Sequence, residues 1–501
     1  MKILLANPPC ILPLGGGMEL SFVRAGSRWP FSDKKERSRP LNYVPFPFYL
    51  AYLAALLQKD GHDVQVVDAV ALNEDEAGFI DHVSRLRADI ILFETTTPTI
   101  DYDLELTRKI RKTSKAKIAL AGAHATTFAE EILTSSAQID FVFRNEYEIS
   151  FRNMISALSE GRDLECLKGF SLRREDGSVL SLPSAGPVNL SELAPPARDL
   201  FPSNDKPDLS IYWDGFCQYR PAVQMHASRG CPFHCNFCVW NQVMYGEGRY
   251  RMFDAARVVD EMEMMVRNYG AREIYFDDDT FTGNKKHVLE ITREIIRRDL
   301  RIPWSCMGDA MVTDAEMISM MAKSGCVGMK FGVESGNKQI LKNIKKPVKF
   351  DKIKMVAKAC SGHKIKTHAT FTFGLFGETR DTMEETLEFA KELDVDSVQF
   401  SITTPFPGTR YFSQCEAQNT ITTREWRKYD GSRSAVVDFE GLSHEEVEEF
   451  CRSATTKWLR HKLKDPGWVL RQVYLLNRLR KGQGNRLFSE KIFRALRTAI
   501  K

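Results

Sequence analysis

The sequence has no apolar run long enough to span a bilayer. Its longest, "VPFPFYLAYLAALL" (Val44 to Leu57), contains two prolines and falls short of the roughly 20 residues a membrane helix needs. It also lacks a signal-peptide pattern, because "MKILLANPP" enters an apolar run without the charged, apolar and cleavage regions in order. A cytoplasmic protein is therefore expected. Cysteine is scarce, 11 in 501 residues, and in a reducing compartment these are free thiols or metal ligands rather than disulfides. Excess charge is missing too: the net value is +4, so no nucleic-acid partner is expected. What charge there is gathers at one end. From Lys457 to Lys501, 13 Lys/Arg stand against Asp465 and Glu490, which leaves the rest of the chain at −7.

What is present is a soluble globular balance, 43% apolar and 27% charged, on a chain long enough for two or three domains. Residues 1–160 alternate short apolar runs ("KILLAN", "DVQVVDA", "DIILFET", "KIALAGA", "DFVFRN") with helical patterns such as "FYLAYLAALLQKDG". Five strands interleaved with helices predict a parallel, doubly wound sheet, with any ligand at the carboxyl ends of the strands. Residues 161–220 read as a proline-rich, irregular connector. A second series over residues 221–415 offers six strands, from "AVQMHAS" to "SVQFSITTPFPGT", which is a partial (β/α)6 barrel. Residues 416–501 read as a basic helical region. The fold class is α/β.

The scarce cysteines are not scattered evenly. "RGCPFHCNFCVW" places Cys231, Cys235 and Cys238 in eight residues, directly after the first barrel strand. The C-x3-C-x2-C loop can wrap one corner of a cubane cluster, binding three irons and leaving the fourth with an exchangeable ligand. A zinc site completed by His234 is the bland alternative. His234 adjoins Cys235, which makes chelation of one ion awkward, and structural zinc sites pair two short hooks. Iron–sulfur is the better reading.

With these residues in view, "SRGCPFHCNFC" resembles the loop of the radical S-adenosylmethionine (SAM) enzymes. The resemblance implies a [4Fe–4S] cluster on Cys231, Cys235 and Cys238, whose open iron chelates SAM. It also implies a set of SAM contacts: Phe237 beside the adenine, Asp278 and Asp279 of "DDTF" toward the amino group, and Glu334 and Ser335 of "GVESG" near the ribose. Gly374 and Gly377 come from "GLFGET", where the family more often has "GLPGET", so Phe376 is a departure. "PFPGT" (Pro405 to Thr409) completes the series at the sixth strand.

The first 160 residues carry a second resemblance. "LANPP", "AYLAALLQKDGHDVQVVDA", "AGAHATTFAEEI" and "IDFVFRNEYEISF" are similar, in order, to the cobalamin-binding domain that precedes the barrel in one radical SAM subgroup, the class B methyltransferases. A dinucleotide-binding domain is the alternative, but "NPPCIL" after the first strand is not G-x-G-x-x-G. The cobalamin contacts implied are Asn7, Pro8, Thr95, Thr96, Thr97, Gly122, His124 and Glu146. The cobalt-ligating Asp-x-His-x-x-Gly fails at Gln65, and His62 falls at the wrong end of its strand, so no histidine on cobalt is expected.

The chemistry implied is reductive cleavage of SAM to methionine and a 5′-deoxyadenosyl radical, hydrogen abstraction from an unactivated carbon, and methyl delivery from methylcobalamin. The substrate would be a small or lipid-linked molecule and the electron donor a flavodoxin or ferredoxin. Two other readings stay open. "CVWNQVMYGEGRYR" (Cys238 to Arg251) resembles porphyrin-ester and hopanoid cyclases, and a non-catalytic corrinoid sensor would share the architecture. The intact cysteine loop argues against a sensor. In the tail, "WVLRQVYLLNRLRK" places Val469, Val473, Leu476 and Leu479 on one helical face and Arg471, Arg478, Arg480 and Lys481 around the other. That pattern is a solvated surface helix or a peripheral membrane contact.

Overall fold

The computed structural model describes all residues except 25–29, 38, 40, 42, 247–249 and 484–501. Glu247 to Arg249 of the cyclase-like stretch and the last third of the basic tail thus lie outside the described residues. The first sheet has seven strands. Parallel strands β1 (Lys2–Asn7), β5 (Asp63–Asp68), β6 (Ile90–Glu94), β7 (Lys117–Ala121) and β8 (Phe141–Phe143) form its body. Every residue of β6 is buried, as a strand covered by helices on both faces must be.

Two features of this domain depart from the expectation. Residues 161–220 are not wholly irregular, because β9 (Phe170–Arg173) and β10 (Val179–Ser181) extend the sheet antiparallel to β8. The turn between them carries Asp176-Gly177, with Gly177 at φ +85°, a hairpin signal hidden by the surrounding prolines. An antiparallel meander of β2 (Ile11–Gly15), β3 (Met18–Val23) and β4 (Phe31–Glu36) also follows β1. Its polar strand "FSDKKE" gives no hydrophobic signal, since buried Lys35 is neutralised by buried Glu19 at 2.5 Å.

The six expected barrel strands are all present: β11 (Ala222–Met225), β14 (Glu273–Phe276), β15 (Trp304–Gly308), β16 (Cys326–Glu334), β17 (Lys366–Phe373) and β18 (Ser397–Ile402). They pair in that order, all parallel, and leave β11 and β18 as edges. Between β11 and β14 a short ladder of β12 (Ser228–Arg229) and β13 (Arg251–Met252) brackets the cysteine loop.

The long apolar run of the sequence becomes the helix Phe48–Lys59. It buries nine of its twelve residues because it is walled on both sides. One side packs on β1, β5 and the helix Glu148–Glu160. On the other side Phe48 stacks on His226 at 3.7 Å between centroids, Tyr49 on Trp240 at 5.7 Å, and Tyr52 on Phe253 at 6.0 Å.

After the barrel come the helices His444–Lys462 and Pro466–Gln483. The second keeps part of its expected apolar face: Leu479 is buried and Val469 packs against the core, while Leu476 is half-buried and Val473 exposed. Arg471 turns inward to Asp394 (2.8 Å) and Asp396 (2.7 Å), and Arg478 donates to the Tyr219 hydroxyl at 2.9 Å. Leu470 (70% exposed), Val473 and Tyr474 face outward. Ion pairing with two carboxylates on the barrel thus draws inward an arginine that the pattern put on the polar face. Among the described residues no helix is long and apolar enough to cross a membrane.

One buried cluster ties the two halves together. Arg229 on β12 pairs with Glu146 at 2.9 Å and Glu148 at 2.7 Å, and all three side chains are inaccessible to solvent. The guanidinium lies over the rings of Tyr49 (4.6 Å) and Tyr52 (4.9 Å), and Arg251 adds a second contact to Glu146 at 2.7 Å. Removing one partner of such a pair strands the other's charge without water, at a cost of about 3–5 kcal/mol. Arg229→Met is therefore expected to lower the melting temperature by several degrees, and adding Glu146→Gln and Glu148→Gln to recover part of the loss. Unchanged melting of the single variant in a thermal scan would refute this coupling.

Candidate functional site

The cysteine loop is held at its base by the second carboxylate after β14. Asp278, 1% exposed, accepts from the Ala227 amide (2.9 Å), the Ser228 hydroxyl (2.7 Å) and the Ser228 amide. Burial pushes its carboxyl up to about 7. The next residue, Asp279, accepts from the amide of Gly230 at 2.9 Å, and Gly230 turns the chain at φ +86°, where a side chain would be strained. Thr280 donates to the Cys231 sulfur at 3.2 Å. Farther along, the Gln242 amide donates to the carbonyls of Cys235 (3.1 Å), Asn236 (2.9 Å) and Cys238 (3.1 Å). The loop is thus fixed before any ligand arrives.

Its three sulfurs open onto one cavity of about 510 Å³ in the mouth and lumen of the barrel. Burial pushes the Cys235 thiol up to about 12 and raises Cys231 and Cys238 as well. Dry thiols of this kind lose their protons to a coordinating metal ion. His234 is exposed and does not line the cavity, so the zinc alternative lacks its nitrogen donor. Three sulfurs on one wall, with room beside them, fit a cluster with an open iron.

Phe237, Asp279 and Glu334 of the expected SAM contacts line this cavity. The other four stand behind it. Asp278 clamps the loop, as described. Ser335 is fully buried, its hydroxyl meeting Thr386 at 3.1 Å and accepting from the Asn337 amide at 3.1 Å. Gly374 (φ +81°) donates its amide to Glu378 at 2.6 Å, and a Cβ on Gly377 would come within 2.8 Å of Asn343. These four shape the walls. Phe376, the departure in that motif, packs edge-on against Phe439 at 6.1 Å.

Two residues the motifs did not single out complete the mouth. Lys346 reaches Asp309 at 3.1 Å and Glu334 at 3.6 Å inside the cavity. Burial opposes its charge, but the two carboxylates outweigh that and hold the ammonium above its usual range. Asp309 follows β15 as Asp279 follows β14, and that strand-end position was its one available signal.

The expected cobalamin contacts are differently placed. Asn7 donates to Asp68 at 2.7 Å, the Pro8 carbonyl accepts from Arg24, and Thr95 donates to Asp103 at 2.5 Å. Thr96 bonds to Thr99 at 3.2 Å and Thr97 to His124 at 3.3 Å. A Cβ on Gly122 would lie 2.1 Å from the Thr95 carbonyl oxygen, so this glycine, at φ +120°, serves a close backbone crossing. His124 sits between Phe128 and Trp426 with its imidazole lowered to about 3 by burial. Glu146 belongs to the buried cluster with Arg229. None of the eight lines the 510 Å³ cavity. His62 lies at the amino end of β5, away from the strand ends.

Among the described residues, three polar atoms without partners are on the cavity wall. Asn241 Oδ1, Thr404 Oγ1 and Ser432 Oγ are buried, lack a hydrogen-bond partner and line it beside Phe31, Tyr43 and Tyr245. A buried acceptor left unmade costs about 1–3 kcal/mol, so three together suit a large ligand with polar edges. The aromatic wall suits a flat, partly apolar face.

Residues 225–390 match the Radical SAM superfamily, and residues 40–155 match the B12 binding domain. An uncharacterized methyltransferase of Pyrococcus horikoshii is 32% identical over 411 residues, covering 81% of this chain and 86% of that protein. The anaerobic magnesium-protoporphyrin IX monomethyl ester cyclase of Rubrivivax gelatinosus is 29% identical, covering 77% and 68%. Among solved structures, the radical S-adenosylmethionine methyltransferase TsrM of Kitasatospora setae, bound to cobalamin and a [4Fe-4S] cluster, superposes with a TM-score of 0.64. It is 20% identical and covers 83% of this chain and 75% of that one. At that identity the likeness speaks for the fold.

Replacing Cys231, Cys235 and Cys238 together by Ala is expected to abolish cluster assembly, while any other cysteine changed to Ser leaves it intact. Iron and sulfide analysis of anaerobically reconstituted protein checks this. Four irons and the cluster absorbance in the triple variant would sink the ligand assignment.

Proposed function

This chain belongs to the B12-binding branch of the radical SAM superfamily, and from that premise we propose that it transfers a methyl group to an unactivated carbon of a small molecule. The observation that supports the proposal is that the three-cysteine loop is locked to the B12-binding domain through Arg229 and opens onto a cavity that Phe31 and Tyr43 of the first 160 residues also line. When bound, the cluster, SAM and corrinoid supply radical generation and methyl delivery, chemistry that no side chain could perform alone. The protein's own work is to bind, orient and keep dry. Cys231, Cys235 and Cys238 are the cluster ligands in this reading. Phe237, Asp279 and Glu334 hold SAM, with Lys346 and Asp309 fixing the Glu334 carboxylate. The corrinoid is held at the wall of Phe31, Tyr43 and Tyr245, with the strand-end loops of Thr95 to Thr97 and Gly122 behind it. His124 is not a cobalt ligand in this reading, because its imidazole is enclosed by Phe128 and Trp426.

Ring closure as in the Rubrivivax cyclase is the second reading, supported by sequence similarity alone. The cavity of about 510 Å³ is lined by aromatic rings as well as by charged and hydroxyl side chains, so the products decide between the two readings. Anaerobic incubation with trideuteromethyl-SAM, a flavodoxin or ferredoxin reductant and an extract of the native host tests both readings. Methyl transfer predicts 5′-deoxyadenosine together with a product heavier by one trideuteromethyl group. A product that instead loses hydrogen, with no deuterium gained, would replace methyl transfer by cyclisation.

We also infer a peripheral membrane contact at the C-terminal helix, resting on its apolar rather than its basic residues. Leu470, Val473 and Tyr474 stand outward at 70%, 49% and 46% exposure, and Leu463 at 48% continues the patch toward the preceding helix. An exposed apolar stripe flanked by cations binds anionic bilayers through both features. Full-length protein is expected to sediment with anionic vesicles, and Leu470→Glu/Val473→Glu to stay in solution. Equal sedimentation of the two proteins would end this proposal.

A further inference from the structure

The cavity has two chemically different ends. Near the cysteines its charges are carboxylates, with Asp309 and Glu334 neutralised by Lys346. Below, on the lumen faces of β16, β17 and β18, the alternating inward residues are Lys330, His368, Thr370, Gln399 and Ser401, and all five line the cavity. The strand register sets Lys330 beside His368, and Thr370 beside Gln399. A barrel lumen is usually filled by branched apolar side chains, so a row of donors there requires a reason. Lys330 and Glu334 are four residues apart on one strand, roughly 13 Å.

The floor holds two ammonium groups, with Asp214 beside Lys330, and Asp396 and Glu273 acting on Lys366. Lys330 binds Asp214 at 2.6 Å and lies 5.2 Å from the centroid of Phe216, whose ring also faces the Lys366 ammonium at 4.4 Å. Two ammonium groups thus flank one ring, and Asp214 pairs with only one of them. An ammonium has three donors, and Asp214 uses one of those on Lys330. The His368 imidazole meets the Ser397 hydroxyl at 2.8 Å. Its proton affinity is lowered, to about 3, by burial first and then by Lys330 and Lys366, so cations outnumber anions around it.

We propose that this floor is an oxyanion subsite for the substrate: Lys330 takes a carboxylate or phosphate, and Thr370, Ser401 and Gln399 take the hydroxyl or carbonyl groups above it. The substrate is then an elongated hydrophilic acid whose reacting carbon lies toward the cysteine end, not a hydrocarbon skeleton. This rests on the methyl-transfer reading and deepens it.

The test titrates inorganic phosphate and succinate calorimetrically into full-length, cluster-loaded protein, with tetramethylammonium as the cationic control. One of the anions is expected to bind, and to weaken at least tenfold in Lys330→Met. The same loss is expected in Asp214→Asn/Lys330→Met, which leaves no buried charge unpaired and so guards against misfolding. Tighter phosphate indicates a phosphate ester, and tighter succinate a carboxylic acid. Equal affinity in wild type and the double variant, no binding of either anion, or a preference for tetramethylammonium overturns the subsite. SAM cleavage by the wild-type preparation is scored separately. Cleavage without anion binding defeats only the subsite, whereas anion binding without cleavage defeats the methyltransferase reading and leaves the subsite standing.

Discussion

A guanidinium without water around it is the constraint on which the site depends. Arg229 immediately precedes the turn that begins the cysteine loop, and its two carboxylate partners, Glu146 and Glu148, come from a strand-end loop of the other domain. An isolated charge could not survive there, so the chain reaches its folded state only when both halves deliver their groups together. Tyr49 and Tyr52 close the cluster from the shared helix. One ion cluster thereby sets the distance between a loop built for iron and a domain built for a corrinoid.

From that anchor the barrel arranges its chemistry by strand periodicity. Consecutive residues after β14 divide the labour: Asp278 faces inward to the chain and clamps it, while Asp279 faces the cavity. On β16 the inward positions Lys330, Gly332 and Glu334 run from the floor to the mouth. The glycine in the middle leaves room for the Glu334 carboxylate, which a Cβ there would meet at 2.3 Å and displace. The carboxylates near the cluster and the cations below are held apart by that spacing, so each end keeps its own electrostatic character.

The sequence made the parts legible where a local rule governs them. Alternation of apolar runs and helical patterns exposed five strands of the first sheet and all six of the barrel, and cysteine spacing alone picked out the loop. It was less informative where a distant partner decides. Nothing in "FSDKKE" announces a strand, because Lys35 is neutralised by Glu19 from a neighbouring strand. The C-terminal helix turns Arg471 inward, against its expected polar face, because Asp394 and Asp396, some 75 residues earlier, capture it. Thr95 and Asn7 sit at the strand ends as the motifs indicate, yet Asp103 and Asp68 occupy their side chains. Lys346 has no motif at all, and its importance comes only from the two carboxylates it meets.

The helix Phe48–Lys59 carries a consequence for the modularity of the chain. Sequence similarity divides the protein into two separately recognised units, as if each could be exchanged between enzymes like a cassette. The helix is encoded in the first unit, but its aromatic side is roofed by residues of the second: His226, Trp240 and Phe253. Cut at the boundary, the first unit would present that wall of rings to solvent and self-associate rather than persist as a free carrier. Recombination that swapped one unit without matching the other would meet the same penalty. The two units must therefore be matched to each other across that wall of rings.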